Sequence, residues 1–286
     1  MHNIQKTGKR NALLAAIPAT IVLLLFFSVL GLFLISSFKA PETNAFTLDN
    51  YTRYLGSANE RSVLWQTLWL SVELTLASLI IGYPMAYVIV RSQSAICRNF
   101  LIFALVVTFL SGTVTRAYAW LIILGGNGLI NTILLKLGVI ELPLRLIYNE
   151  IGVFISLFHF VLPFFVLTMM ASLKNISNEL EQAAINLGGT RWYAFLKVTL
   201  PLSIPGVVAA SSLAFAVALS SFLFPLVLGG GRVRLAANAI YEHIFTRFDY
   251  SLAAAAAAVF LVLSLFFVWI FGLLQKILQK NYATNI

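Results

Sequence analysis

Long apolar runs dominate this chain, and polar positions are confined to the stretches between them. A helix needs about twenty apolar residues to cross the hydrocarbon core of a bilayer. Six segments reach that length, near 12–36, 63–90, 99–124, 151–173, 202–229 and 252–275. The pattern predicts an all-α polytopic membrane protein with six transmembrane helices, organised as a single transmembrane domain over 1–286. Lys6, Lys9 and Arg10 precede the first run as they would a secretory signal, but the run is longer than a signal core and reads as an uncleaved span.

An even number of crossings places both termini on one side. Lys and Arg near the span ends are nearly balanced between the two sides, so orientation rests on the first helix, which usually dominates. Lys6, Lys9 and Arg10 lead into it, and Arg91, Arg98, Lys276 and Lys280 flank later spans on the same side. Both termini are therefore expected in the cytoplasm.

Composition narrows the function. Of 286 residues, 60% are hydrophobic and 10% charged, against roughly half and a quarter in soluble domains. The net charge of +9 is scattered between apolar runs, which argues against nucleic-acid binding. Cys97 is the single cysteine, so no intrachain disulfide or paired-cysteine metal site exists. His2, His159 and His243 lie too far apart in sequence to suggest a zinc or haem ligand set. No catalytic cluster and no phosphate-binding loop of the G-x-x-x-x-G-K-S/T type is present. Ala253 to Ala258 open the last span with small residues that suit close helix packing.

The loop at about 174–201 carries the most information. Its residues predict a short helix, a turn at Gly188–Gly189 and a second helix, with Pro201 and Pro205 favouring breaks where the chain re-enters the membrane. It reads Glu181-Gln182-Ala183-Ala184-Ile185-Asn186-Leu187-Gly188-Gly189-Thr190 and ends Val198-Thr199-Leu200-Pro201. This stretch resembles the EAA loop of ABC-importer permeases, which runs Glu-Ala-Ala-x-x-x-Gly and closes on an aliphatic, any residue and Leu-Pro. Ala183, Ala184, Gly188, Val198, Leu200 and Pro201 fall in register, while Gln182 stands where the family usually has glutamate.

The resemblance implies a type I importer fold and a coupling helix that docks in a groove of a cytoplasmic ATPase dimer. Glu181, Gln182, Ala183, Ala184, Gly188 and Gly189 would form the coupling element. It further implies no cofactor on this chain, with ATP and magnesium on the ATPase, an external solute-binding protein, and a bacterial inner-membrane location. Within the family the chain is most similar to the spermidine/putrescine-type permeases, through Phe46-Thr47-Leu48-Asp49-Asn50-Tyr51, Gly82-Tyr83-Pro84-Met85-Ala86-Tyr87 and Gly138-Val139-Ile140. That implies a related, non-identical second permease and a polyamine-like solute. The competing expectation is a self-sufficient secondary transporter or channel, which needs ion-coupling groups at mid-membrane or broken spans.

Several residues are candidates for the solute path. Glu73 lies inside the second span, where a charge marks either a functional group or a carboxylate that is paired with another span or shallow enough to reach interfacial water. Gln66 sits two turns earlier on nearly the same face. Arg116, Tyr118 and Trp120 resemble an arginine-aromatic segment of the polyamine-type group; the aromatics serve either a cation by cation–π attraction or the membrane interface as anchors. Ser220, Ser221 and Phe222, ahead of Gly229–Gly231, resemble a segment near the translocation path, without the acidic residue that some relatives carry there. His159 is read as a hydrogen-bonded core histidine rather than a proton relay.

Overall fold

A computed structural model describes residues 2–40, 43 and 45–284, with side chains from 17–40, 43 and 45–278. Lys6, Lys9, Arg10 and Lys280, used above for orientation, have side chains outside the described set. The described chain is helical: α1 (His2–Ser36), α2 (Asp49–Gly56), α3 (Ala58–Arg91), α4 (Ala95–Leu110), α5 (Thr113–Leu124), α6 (Leu129–Lys136), α7 (Glu150–Lys174), α8 (Asn178–Asn186), α9 (Arg191–Ala194), α10 (Leu200–Leu219), α11 (Leu223–Leu228), α12 (Ala236–Phe245) and α13 (Tyr250–Thr284). A π-helical turn, Phe195–Thr199, joins α9 to α10. Extended pairing among the described residues is limited to one bridge, Lys39 with Phe46.

Among the described residues, six helical stretches are long and apolar enough to cross a membrane: Ile17–Ser36, Ala58–Arg91, Thr113–Lys136, Glu150–Lys174, Arg191–Leu219 and Tyr250–Leu278. The third differs from the expected span at 99–124. That run is broken at Ser111 and Gly112, which adopt extended backbone between α4 and α5. The carbonyl groups released by the break are collected by Arg116, whose Nη2 donates to Thr108 O and, at 2.7 Å, to Ser111 O. A serine–glycine pair is a weak helix interior, and a guanidinium at a helix C-terminus also complements the negative end of its dipole.

The expected span at 202–229 also differs. Its helix ends at Leu219, and Ser220–Phe222 separate it from α11. The chain does not break at the prolines. Pro201 follows directly on the π-helical turn Phe195–Thr199, and the helical stretch runs on through Pro201 and Pro205.

The described chain divides into two compact units. One comprises Met1–Arg61 and Ile240–Val259. Here Asn50 Nδ2 donates to the carbonyls of Ser37 and Lys39, both at 2.9 Å, and tethers α2 to the end of α1. Arg53 pairs with Asp249 at 3.0 Å. Buried His243 Nε2 lies 3.4 Å from Glu60 Oε1, beside buried Tyr54. Burial, and then the Glu60 charge, raise the Tyr54 phenol above its ordinary pKa.

The other unit, Ser62–Ala239 with Phe260–Ile286, is organised around α7. Leu157, Val161, Phe165, Val166 and Met169 on this helix are fully buried. Its most extensive partner is α10. The two approach closely because position 206 is glycine: a Cβ there would lie 2.0 Å from Ser172 Oγ. Small residues at such crossings let helix backbones gain dispersion contacts that lipid cannot otherwise reward.

Candidate functional site

At the end of α7, Ser177 caps α8 by accepting from Glu179 N–H at 3.2 Å. The following acid, Glu181, points inward and is 8% exposed. Its Oε1 receives Arg91 Nε at 3.0 Å and the Thr199 hydroxyl at 2.5 Å, and Tyr87 OH donates to Oε2 at 3.3 Å. Arg91 Nη2 also donates to Ile176 O at 2.8 Å. One carboxylate thus joins the end of α3, the loop helix α8 and the turn entering α10. Such a pair in low dielectric is satisfied only as a set, and removing one member strands a charge.

The opposite face is open. Gln182, Ala183 and Asn186 are exposed, Ala184 is half-buried, and Leu187 is 89% exposed. Gly188 has φ +93, a conformation that favours glycine, and a side chain there would meet nothing within 4 Å. Gly189 N–H returns to Ala184 O at 3.0 Å, closing the turn. Thr190 then caps α9 through Tyr193 N–H at 3.1 Å, and Trp192 and Tyr193 are exposed. Leu180, Leu187, Trp192 and Tyr193 are exposed large hydrophobic residues on the same loop as exposed Gln182 and Asn186. Phe195 is packed edge-on against Tyr83 and Tyr87, with centroids 5.9 and 5.0 Å away. The loop is therefore fixed to the spans on its inner side and exposed on its outer side.

The structure separates the solute-path candidates. Glu73 is half-buried and makes no hydrogen bond or ion pair among the described residues. Gln66 does not join it: its Nε2 donates to Glu150 Oε1 at 2.8 Å, tying α3 to the start of α7. Arg116 is buried at the helix break, with its guanidinium 5.3 Å from the Phe160 ring centroid. Tyr118 is exposed. Trp120 donates through Nε1 to His159 Nδ1 at 3.2 Å, and His159 Nε2 lies 3.3 Å from Thr108 Oγ1. An indole N–H is only a donor, so Nδ1 carries no proton and the ring is the neutral Nε2–H tautomer. Ser220 is exposed and its hydroxyl donates to Val217 O at 3.2 Å, while Ser221 is buried. The Phe222 carbonyl accepts from Asn238 Nδ2 at 2.9 Å.

In the sequence Tyr87 and Thr199 stand inside the matching phrases without a role of their own, and Arg91 counts only as a flanking charge. The one available signal was an arginine ending a span on the same side as an acid-bearing loop. Among the described residues no three metal-ligating side chains come together.

The family model described as "Binding-protein-dependent transport system inner membrane component" matches residues 79–280. The spermidine/putrescine transport system permease protein PotB of Escherichia coli K12 is 30% identical over 82% of this chain and 85% of its own. PotB of Haemophilus influenzae is 29% identical over 82% of each chain. A chain in the crystal structure of a bacterial alginate ABC transporter in complex with an alginate pentasaccharide-bound periplasmic protein superposes with a TM-score of 0.77 at 21% identity, covering 92% of this chain and 93% of that one.

Proposed function

The chain belongs to the family of binding-protein-dependent transport system inner membrane components, and on that premise we propose that it conducts a polyamine-like solute, delivered by an external solute-binding protein, when a cytoplasmic ATPase dimer pulls on its α8–α9 loop. The chain is an all-α permease subunit of an ABC importer, with the fold of such importers, and its family is one of inner-membrane components. Its similar proteins are transport components rather than enzymes.

The observation that carries the coupling role is the two-sided geometry of the loop. Its inner face is locked to α3 by Glu181 and Arg91, and its outer face exposes Gln182, Ala183, Leu187 and Gly188. A rigid tie on one side and an open apolar surface on the other suit the transfer of a push into the spans. ATP and magnesium then act on the ATPase. Both termini and this loop lie in the cytoplasm, and a related, non-identical permease completes the pathway. The polyamine assignment is supported by the PotB relatives, which are permeases of spermidine/putrescine transport systems, and by Glu73, a carboxylate within a span.

Reconstitution tests this directly. Proteoliposomes holding the permease pair, the ATPase and the binding protein should take up labelled putrescine or spermidine only with internal ATP and magnesium. Leu187→Glu should abolish uptake while the permease still inserts. Uptake by this chain alone, driven by an ion gradient, would instead establish a secondary transporter.

A further inference from the structure

At the end of α7 remote from the coupling loop, roughly 35–40 Å away at the helical rise per residue, two loops enclose a cleft of about 460 Å³. One loop lies between α6 and α7 and contributes Arg145 and Tyr148. The other follows α11 and contributes Gly230 and Arg232.

Both walls are pinned. Asn131, fully buried, donates to the carbonyls of Gly125 and Leu144 at 3.0 Å each and accepts from Leu144 N–H at 2.8 Å. Tyr148 N–H bonds Leu228 O at 2.7 Å, tying the first loop to the end of α11 where the second begins. Tyr148 has φ 60 and Gly230 φ 56, and the tyrosine ring lies against the glycine: a Cβ at 230 would come within 2.5 Å of it. A bulky residue held at positive φ is a strained element that persists where its surroundings over-determine it, and such strain concentrates at binding surfaces. Arg145 and Arg232 are exposed, and neither side chain makes a hydrogen bond or ion pair among the described residues.

We propose that this cleft receives an acidic side chain of the solute-binding protein, its carboxylate held by Arg145 and Arg232 beside the Tyr148 ring. This rests on the importer reading, which puts the coupling loop in the cytoplasm and so the cleft outside. Guanidinium forks match carboxylate geometry, and a pinned cleft loses little freedom on binding. A protein occupant fits better than a free anionic solute. Two exposed charges attract a small anion weakly in water, whereas a partner that covers the cleft excludes water and strengthens the same pairs.

The test uses the intact importer in nanodiscs and the solute-binding protein that stimulates its ATP hydrolysis, with affinity measured across a salt series. Arg145→Glu with Arg232→Glu should weaken binding by at least about tenfold, chiefly through slower association, and flatten its salt dependence. Basal ATP hydrolysis without binding protein should be unchanged, which verifies assembly. Arg145→Lys with Arg232→Lys should keep most of the on-rate. Reversing one interfacial acid of the binding protein to lysine should restore affinity to the doubly reversed permease. Equal affinity of wild type and the reversed variant overturns the proposal while leaving the importer reading intact. So does normal docking with lost transport, which would assign the arginines to an anionic solute. Failure of any binding protein to dock on wild type removes both.

Discussion

Arg91, the last residue of α3, reaches Glu181 in the first turn of α8 with Nε 3.0 Å from Oε1, and both side chains are nearly closed to solvent. The pair places a loop helix on the end of a membrane span through a bond that needs both partners. A force on α8 is thereby delivered to α3 without passing through the loop backbone.

Removing one partner should be costly. Arg91→Gln or Glu181→Gln is expected to destabilise the assembly by about 3–5 kcal/mol, the range for breaking a buried ion pair. ATP hydrolysis should persist with transport reduced. The double change Arg91→Leu with Glu181→Leu should cost less than the sum of the singles, because no charge is left stranded. Thermal melting in detergent, read beside uptake, checks both statements.

Gly188→Arg should uncouple transport from hydrolysis while leaving insertion intact, since position 188 is open in this chain and lies on the face assigned to the ATPase. Its φ of +93 adds a backbone penalty of about 1–3 kcal/mol for a non-glycine residue. Gly188→Asn, which tolerates that conformation, serves as the backbone control and should retain most uptake. Full transport by the arginine variant would remove the docking assignment.

Gly206→Val should disrupt the α7–α10 crossing, because even a Cβ meets Ser172 Oγ at 2.0 Å. Overpacking of this kind costs about 1–3 kcal/mol. A second change, Ser172→Gly, should recover part of the lost melting temperature. Equal melting of Gly206→Val and wild type would show that the helices separate freely.

His159 should be neutral, with Nδ1 unprotonated, because it accepts from the Trp120 indole. Nitrogen chemical shifts of labelled histidine in nanodiscs read the tautomer directly. Trp120→Phe removes the donor and should cost about 1 kcal/mol while freeing Nδ1. A doubly protonated ring at neutral pH would contradict this arrangement.

How far the sequence carried the structure differs from element to element. The six apolar runs were legible because lipid forces every spanning backbone group to bond within its own segment. The loop motif was legible because Ala183, Ala184, Gly188 and Leu200-Pro201 are spaced along one short stretch. The break at Ser111–Gly112 was not, since apolar residues continue on both sides of it and hydropathy averages over the interruption. Arg116 looked like a group for the solute path, and its carbonyl partners could be recognised only once the helix end beside it was known.

The Glu181 tie was equally hidden. Adjacent residues Glu181 and Gln182 look alike as members of a motif, yet one is buried against Arg91 and the other open, a difference set by the helical rotation between neighbouring positions. By itself, then, the sequence determined the solvent, the helical class and the family resemblance, because these depend on local composition and on short fixed spacings. Tertiary structure alone decided which charges are paired, which face of α8 is free and how Tyr148 meets Gly230. Those relations join residues far apart in the chain, and only packing brings them within the few ångströms over which hydrogen bonds and steric exclusion act.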